Sequence, residues 1–165
     1  MVSKCPLVCD TTVLLYLGRI NQTDLLPALF TPIYVPEPVM LELDMGRLLR
    51  PDTVNPRDLA WATPIAVPQD AIAALPPNRL GMGERAVIAH AQVHQICAVG
   101  LDDLQARRLA EGLGLMVVGT PGILLRAKRT GLLSTVRPLI DAVVAQGFHL
   151  GSDLYEDILS LAGEA

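Results

Sequence analysis

Short apolar runs alternate with amphipathic stretches along most of this chain. Residues 6–9, 33–35, 96–101 and 115–118 are apolar runs with the length of buried strands. Apolar positions at helical spacing separate them, most clearly over residues 82–93. Strands that are apolar on both faces and alternate with helices are typical of a parallel sheet covered on both sides. The pattern therefore predicts a three-layer α/β/α fold with a short, mainly parallel sheet, similar to a Rossmann fold.

The helix boundaries are predicted from capping residues, prolines and glycines. A first helix begins at Asp10, Thr11 or Thr12, runs to about Leu17 and ends at Gly18. Further helices are predicted over stretches that proline, acidic residues or glycine delimit, namely residues 22–29, 36–46, 102–113, 120–128, 134–145 and 152–162.

The proline-rich segment of residues 47–77 interrupts this alternation. Its prolines require short elements. A small helix that closes at Ala60 and Trp61 and an edge strand over residues 65–67 are predicted, with a turn at residues 76–78. The segment is bulky for so small a domain, so it is a candidate partner surface or a cover for the site.

Composition and charge limit the class of protein. The 165 residues are 51% hydrophobic, which is enough for one well-packed domain over residues 1–165. A net charge of −4 argues against a non-specific nucleic-acid coat but not against a nuclease, whose acidic site adds negative charge. Without a membrane-spanning run or a signal-peptide pattern, a cytoplasmic location is expected.

Cysteine and histidine give no metal-binding pattern. Cys5, Cys9 and Cys97 form no CxxC motif, and the last two lie in apolar runs, so buried reduced thiols are expected, with a metal or redox role as the alternative. His90 and His94 are four residues apart but lack the glutamate of a zinc-protease helix.

Carboxylates follow apolar strands or begin helices at four places. Asp10 follows the first strand, the pair Asp102 and Asp103 follows a later one, Glu84 begins a helix, and Glu42 lies within another. Each has an ordinary explanation, since acids cap helices and favour their first turn. Because the carboxyl ends of parallel strands share one edge, these groups can also converge, and a cluster of carboxylates suits Mg²⁺ or Mn²⁺.

Hydroxyl and basic groups are predicted near the same edge. Thr11, Thr12 and Thr120 can cap helices, or they can orient a metal ligand, a water molecule or a phosphate. Arg107 and Lys128 lie on the helices after the last two strands and are candidates for phosphate contacts, although such residues are usually solvated.

Several of these stretches, taken in order, resemble the motifs of PIN-domain ribonucleases. They are Val-Cys-Asp-Thr-Thr at residues 8–12, Val-Pro-Glu-Pro-Val-Met-Leu-Glu at residues 35–42, Gly-Met-Gly-Glu-Arg-Ala at residues 81–86, and Leu-Asp-Asp at residues 101–103 with Ala106 and Arg107. Gly-Thr-Pro-Gly at residues 119–122, with Ala127, Lys128 and Gly131, resembles one bacterial and archaeal branch of the family.

The resemblance implies a metal-dependent endoribonuclease that hydrolyses RNA phosphodiester bonds. The catalytic acids it implies are Asp10, Glu42, Glu84, Asp102 and Asp103, of which Asp10, Glu84, Asp102 and Asp103 would bind Mg²⁺ or Mn²⁺. The candidate substrate-binding residues remain Thr11, Thr12, Thr120, Arg107 and Lys128. It also implies the toxin of a toxin–antitoxin pair, with an antitoxin protein as partner, and a homodimer. The doubled aspartate departs from the usual last motif and leaves open which of the two is the ligand.

Three other classes fit less well or remain open. A catalytically silent PIN-like module that binds RNA or protein would have no need of mutually repelling carboxylates. A phospho-acceptor receiver domain carries its acidic pair after the first strand, whereas Asp102 and Asp103 come late. A haloacid-dehalogenase-like phosphatase needs an aspartate two positions after the first, where this chain has Thr12.

Overall fold

The computed structural model describes residues 3–165, so the predicted domain of residues 1–165 includes two residues that lie outside it. Within the described part the chain forms five strands: β1 (Cys5–Cys9), β2 (Phe30–Pro36), β3 (Ala62–Ile65), β4 (Ala98–Gly100) and β5 (Met116–Val118). The helices of the same part are α1 (Thr11–Arg19), α2 (Leu25–Leu29), α3 (Glu37–Leu49), α4 (Gln69–Ala73), α5 (Met82–Val93), α6 (Leu104–Gly112), α7 (Thr120–Arg129), α8 (Arg137–Ala145) and α9 (Ser152–Leu161).

The sheet places the first strand at its centre. Its order is β3-β2-β1-β4-β5, and all neighbouring pairs are parallel. Leu7 of β1 pairs with Ile33 of β2 on one side and with Ala98 of β4 on the other. β2 and β3 extend the sheet on one side of β1, and β4 and β5 extend it on the other, so the strand order reverses between β1 and β4. Ligands of such folds bind at this reversal, the switch point, beyond the carboxyl ends of the strands.

Helices cover the sheet in two groups, which explains why β1 is apolar on both faces. Leu7, Val8 and Cys9 are fully buried. On one side α5 contacts β1, β2 and β4 and packs against α3 and α4. In the other group α7 contacts α1, α2, α8 and α9. The predicted three-layer α/β/α fold with a parallel sheet is confirmed.

Two glycines that were expected to end helices lie inside them. The prediction that α1 ends at Gly18 is wrong, because α1 continues to Arg19 and Gly18 packs against Val54, where a Cβ would lie 2.9 Å from the Val54 Cβ. The end of α3 was also misplaced, since the helix passes Gly46 and reaches Leu49. Gly18 therefore permits a close approach between two segments.

The proline-rich segment completes the sheet and covers α5. A 3-10 turn at Pro56–Asp58 replaces the helix predicted to close at Ala60 and Trp61, and the edge strand β3 lies earlier than predicted, at Ala62–Ile65. The unpredicted helix α4 buries Ile72 against Ala86 and Ala89 of α5. A large part of this segment is thus packed against the domain itself.

The helices of the described part are short. The longest of them, α3, has 13 residues, whereas a bilayer requires about 20. Within residues 3–165, no helix combines the length and apolar character that crossing a membrane requires.

Candidate active site

The carboxyl ends of β1 and β4 bring Asp10 and the pair Asp102 and Asp103 to the switch point. β1 ends at Cys9 and β4 at Gly100, so the acids follow neighbouring central strands. The Asp10 backbone N–H donates to the Gly100 carbonyl at 3.0 Å, which extends the ladder into the acidic loops. Parallel pairing thus explains why acids that lie far apart in the chain meet.

Asp10 is a buried carboxylate without a full set of partners. Its residue is 2% exposed, and although it occupies the N-cap position of α1, its side chain makes no capping hydrogen bond. Its Oδ1 atom is buried and has no hydrogen-bond partner. Burial, with added repulsion from Glu84, Glu42 and Asp102, raises the pKa of Asp10 to about 8. Helix capping therefore does not explain this residue.

Asp102 is held by the start of α7. Its two carboxylate oxygens accept hydrogen bonds from the Thr120 backbone N–H and from the Thr120 hydroxyl, both at 2.7 Å. Burial raises the pKa of Asp102, while the bonds from Thr120 and the charge of Arg107 oppose that rise. A Cβ on Gly119 would lie 2.9 Å from the Asp102 Oδ1, so a larger residue there would push on this carboxylate.

The doubled aspartate divides into two structural roles. Asp103 is the N-cap of α6, and its Oδ2 accepts from the Ala106 backbone N–H at 3.0 Å. Asp102 instead faces α7 through Thr120. Both acids line the cleft described below, but Asp103 caps a helix, whereas Asp102 is bonded to Thr120.

Glu42 and Glu84 arrive from α3 and α5. Glu42 accepts from the Thr11 hydroxyl and, at 3.0 Å, from the Gly83 backbone N–H, so it joins the starts of α1 and α5. Glu84 accepts from the Gly81 backbone N–H at 3.2 Å, as an acid in a first helical turn does. Burial, together with Asp103 and Glu42, raises the pKa of Glu84.

The donor set fits a hard divalent cation in its chemistry. Oxygen ligands are what Mg²⁺ and Mn²⁺ prefer, and the unpartnered Oδ1 of Asp10 is the kind of atom that a cation satisfies. The Thr12 side chain reaches the Asp102 carboxylate and favours its charged form. Within residues 3–165, however, no three His, Cys, Asp or Glu side chains are grouped closely enough to hold a metal ion as they stand.

An open cleft of about 940 Å³ borders three of the five acids, whereas Asp10 and Glu42 do not line it. Glu84, Asp102, Asp103 and Arg107 form part of its wall. The other lining residues are mostly apolar and come from α1, α6, β5, α7 and the C-terminal segment. They include Tyr16, Pro121, Phe148, Leu150, Leu154, Ile158 and Leu161.

This apolar wall was not predicted from the sequence. Phe148 packs edge-to-face against Tyr16 at a ring separation of 5.0 Å, and Leu154 and Leu161 remain exposed at the cleft. The helix that carries Leu154 and Leu161 was predicted, but its sequence does not distinguish an apolar residue in the core from one in a cleft. No local motif marks Phe148, since its position depends on how the C-terminal helices pack.

The candidate basic residues are separated by the fold. Arg107 lines the cleft and donates to the Leu101 carbonyl at 3.0 Å. Lys128 lies eight residues beyond Thr120 on α7, which is about 12 Å along the helix. It bonds to the Ala162 carbonyl and to the Glu164 carboxylate, at 2.5 and 2.8 Å. The structure therefore brings Arg107 to the acids and does not bring Lys128 there.

The fold and the cleft define the class of this protein: an α/β domain with an acidic cleft at the switch point of a parallel sheet. A family model described as a PIN domain matches residues 6–164, so nearly the whole chain. The chain belongs to the PIN-domain family, whose fold is of the nuclease type. A comparison with curated proteins found no match.

Proposed function

We propose that this protein is a metal-dependent endoribonuclease that hydrolyses RNA phosphodiester bonds at the cleft. The observation that carries the proposal is the buried Asp10 carboxylate, whose Oδ1 has no partner and which three other acids repel. A protein that keeps such a group loses stability unless a cation or a proton neutralises it. Membership of a family whose members are generally nucleases supports the same conclusion.

The acids have distinct roles in this proposal. Asp10, Glu84 and Asp102, with Asp103 at the rim, would hold Mg²⁺ or Mn²⁺. A bound cation supplies activation of water and neutralisation of the charge that develops on the phosphate. Glu42 already accepts hydrogen bonds from Thr11 and Gly83, so it orders the starts of α1 and α5 around the ion.

The cleft suits an oligonucleotide because its walls differ in polarity. A nucleotide has an anionic phosphate and a flat base with apolar faces. Arg107 provides a cation next to Asp102, where a phosphate would lie, and its hydrogen bond to Leu101 holds it there. The apolar wall around Phe148 and Leu154 offers a surface for bases.

The first test is cleavage of a mixed RNA substrate with Mg²⁺ or Mn²⁺. We expect the parent to cleave, and we expect a chelator or Asp10→Asn to reduce cleavage at least about 100-fold. Asp24→Asn is the matched control, since Asp24 is exposed and makes no side-chain cap bond. Full activity in folded Asp10→Asn would contradict the site.

A catalytically silent binding module is the second candidate. It is favoured by the absence, among the described residues, of a ready-made metal-holding group. The two candidates differ in their response to metal. Stabilisation by Mn²⁺ without RNA supports the nuclease, whereas RNA binding that is indifferent to both metal and chelator supports the silent module.

A toxin role, an antitoxin partner and a homodimer are further parts of the proposal. The exposed apolar residues Leu41, Met45 and Leu48 follow one face of α3, next to Glu42. Exposed apolar stripes of this kind are typical of protein–protein contacts. Growth arrest on expression, rescued by the product of a neighbouring gene, would support the toxin role, and sedimentation analysis reports the oligomeric state.

A further inference from the structure

Two of the three cysteines form a close pair at the surface. Buried thiols were predicted throughout; Cys9 is buried, but the prediction is wrong for Cys97, which is exposed, and Cys5 is only half-buried. The sulfur atoms of Cys5 and Cys97 lie 2.6 Å apart, although the residues are separated by 92 positions.

The sheet holds the pair together. Cys5 is the first residue of β1, and Cys97 directly precedes β4, the parallel neighbour of β1. Because Leu7 pairs with Ala98, Cys97 lies opposite Pro6 and is offset from Cys5 by one residue. With strands about 4.8 Å apart and a rise of about 3.3 Å per residue, the two Cα atoms lie about 6 Å apart, which a disulfide can bridge. The Cys97 carbonyl also accepts from the Met116 N–H at 2.7 Å, so β5 fixes its backbone from the other side.

The surroundings assign different roles to the two thiols. Cys97 is open to solvent and is the thiol that a dissolved oxidant reaches first. Burial, and then the hydrogen bond with Cys97, raises the pKa of Cys5 to about 11, so Cys5 alone is a poor nucleophile at neutral pH. It lies in contact with the one sulfur that it would need to attack.

We propose that Cys5 and Cys97 form a reversible intramolecular disulfide when the protein meets a hydroperoxide. The Cys97 sulfur attacks the peroxide oxygen, an S–O bond forms, the O–O bond breaks, and an alcohol or water leaves with a proton. The Cys5 sulfur then attacks the Cys97 sulfenic acid, an S–S bond forms, and hydroxide leaves and takes the Cys5 proton as water. In sum, two thiols and one hydroperoxide give one disulfide, one alcohol or water, and one further water.

The disulfide would stabilise the domain without entering the cleft. It lies at the amino ends of β1 and β4, whereas Asp10 and Asp102 follow their carboxyl ends. It closes a long loop of the chain, and a cross-link restricts the unfolded state most strongly when the loop is long. The proposal does not rest on the proposed nuclease function, and RNA cleavage is expected to be unchanged by oxidation.

The test treats the full-length protein with hydrogen peroxide and counts free thiols. We expect the number of free thiols to fall from three to one and the mass of the protein to fall by that of two hydrogen atoms. Peptide mapping should find one pair of peptides, which a disulfide joins through Cys5 and Cys97. The melting temperature is expected to rise by about 5 °C or more, and dithiothreitol should reverse both changes.

Variants separate this pair from other oxidation. Cys9→Ala should keep the link, while Cys5→Ser and Cys97→Ser should lose both the link and the thermal shift. Three free thiols after peroxide, a sulfinic acid at Cys97 with Cys5 still free, or a covalent dimer through Cys97 would each overturn the proposal.

Discussion

At the scale of single residues, the five acids of the candidate site differ in the hydrogen bonds that their carboxylate oxygens accept. Glu42, Glu84, Asp102 and Asp103 all accept hydrogen bonds from the protein, whereas Asp10 retains an unpartnered buried oxygen. Chemically similar side chains therefore differ in how far the protein satisfies them, and Asp10 is the one of the five with a buried oxygen that no protein group satisfies.

Thr120 should control activity through Asp102. Replacing Thr120 with Val removes the hydroxyl bond to the Asp102 Oδ2 and keeps the side-chain shape. We expect cleavage to fall about 10- to 100-fold, since a hydrogen bond to a charged group contributes about 1.5–3 kcal/mol. We also expect the pKa of Asp102 to rise further. Cleavage rates measured across pH report both effects.

Thr120→Ser is the matched control for this variant. Its hydroxyl can still reach Asp102, so we expect it to retain most of the activity. Equal losses in the Ser and Val variants would mean that packing, and not the hydroxyl, is what matters at this buried position.

Several residue roles could not be predicted from sequence because local patterns are ambiguous. Asp10 and Asp103 both stand at helix starts, and only the structure shows that Asp103 caps its helix while the Asp10 side chain does not. Lys128 follows a motif of the resemblance, yet its partner Glu164 lies 36 positions away at the chain end. Such pairings depend on tertiary packing.

At the scale of helices and strands, the site depends on how closely α5 approaches α3. The start of α5 lies directly against Glu42, and Gly83 leaves the space for its carboxylate. A Cβ on Gly83 would lie 2.7 Å from the Glu42 Oε2 and 2.8 Å from its Oε1. The second glycine of the Gly-x-Gly-Glu stretch is therefore explained by packing, since a side chain at position 83 would press on the Glu42 carboxylate.

Gly83→Ala should impair activity more than stability. The added methyl group pushes on the end of a flexible side chain, so Glu42 can move and lose its bond to the Gly83 N–H. We expect about a tenfold loss of cleavage, since the lost bond involves a charged group, and less than about 1 kcal/mol of change in unfolding free energy. Cleavage assays and thermal melts of the same preparation measure the two effects.

Gly112→Ala is the matched control. Gly112 lies at the exposed end of α6 with nothing within 4 Å of an added Cβ. We expect unchanged activity and equal or slightly higher stability, because alanine favours a helix over glycine by up to about 1 kcal/mol. If both variants lost activity alike, the close contact with Glu42 would not be the cause.

The elements that were predicted best are those whose signal is local. The pattern at residues 82–93 gave α5 with its observed bounds, Met82–Val93. The proline-rich segment was predicted worst, because β3 exists only through its pairing with β2 and α4 through its packing on α5. Elements that depend on tertiary partners carry weak local signals.

At the scale of the whole molecule, the acidic cluster makes stability depend on pH. Because the pKa of Asp10 is raised from 3.8 to about 8, the folded state binds more protons than the unfolded state between these values. Stability is therefore full below about pH 4 with respect to this group and falls as the pH rises to about 8. Glu84 and Asp102, whose pKa values are also raised, act in the same direction.

Asp10→Asn should flatten this dependence. In chelator, we expect the free energy of unfolding of the parent to fall from about pH 5 to about pH 8, and that of the variant to fall much less. Because Asp10 binds one proton, its contribution to the free energy of unfolding changes by at most about 1.4 kcal/mol per pH unit. Urea unfolding at a series of pH values measures the slope. Parallel slopes in the two proteins would show that Asp10 ionises as an ordinary aspartate.

Divalent cations should offset the loss of folding stability that the ionised acids cause, and they should do so more strongly at high pH. A cation binds deprotonated carboxylates, so Mn²⁺ must displace the proton that Asp10 keeps near neutral pH. We expect Mn²⁺ to raise the melting temperature of the parent more at about pH 9 than at about pH 6.

Glu84→Gln should lose most of this shift, because it removes one candidate ligand charge while its amide oxygen can still accept from the Gly81 N–H. Asp24→Asn should keep the shift. A stabilisation by Mn²⁺ that Glu84→Gln and Asp10→Asn both retain would place the ion elsewhere on the molecule, and no stabilisation at any pH would favour the silent module over the nuclease.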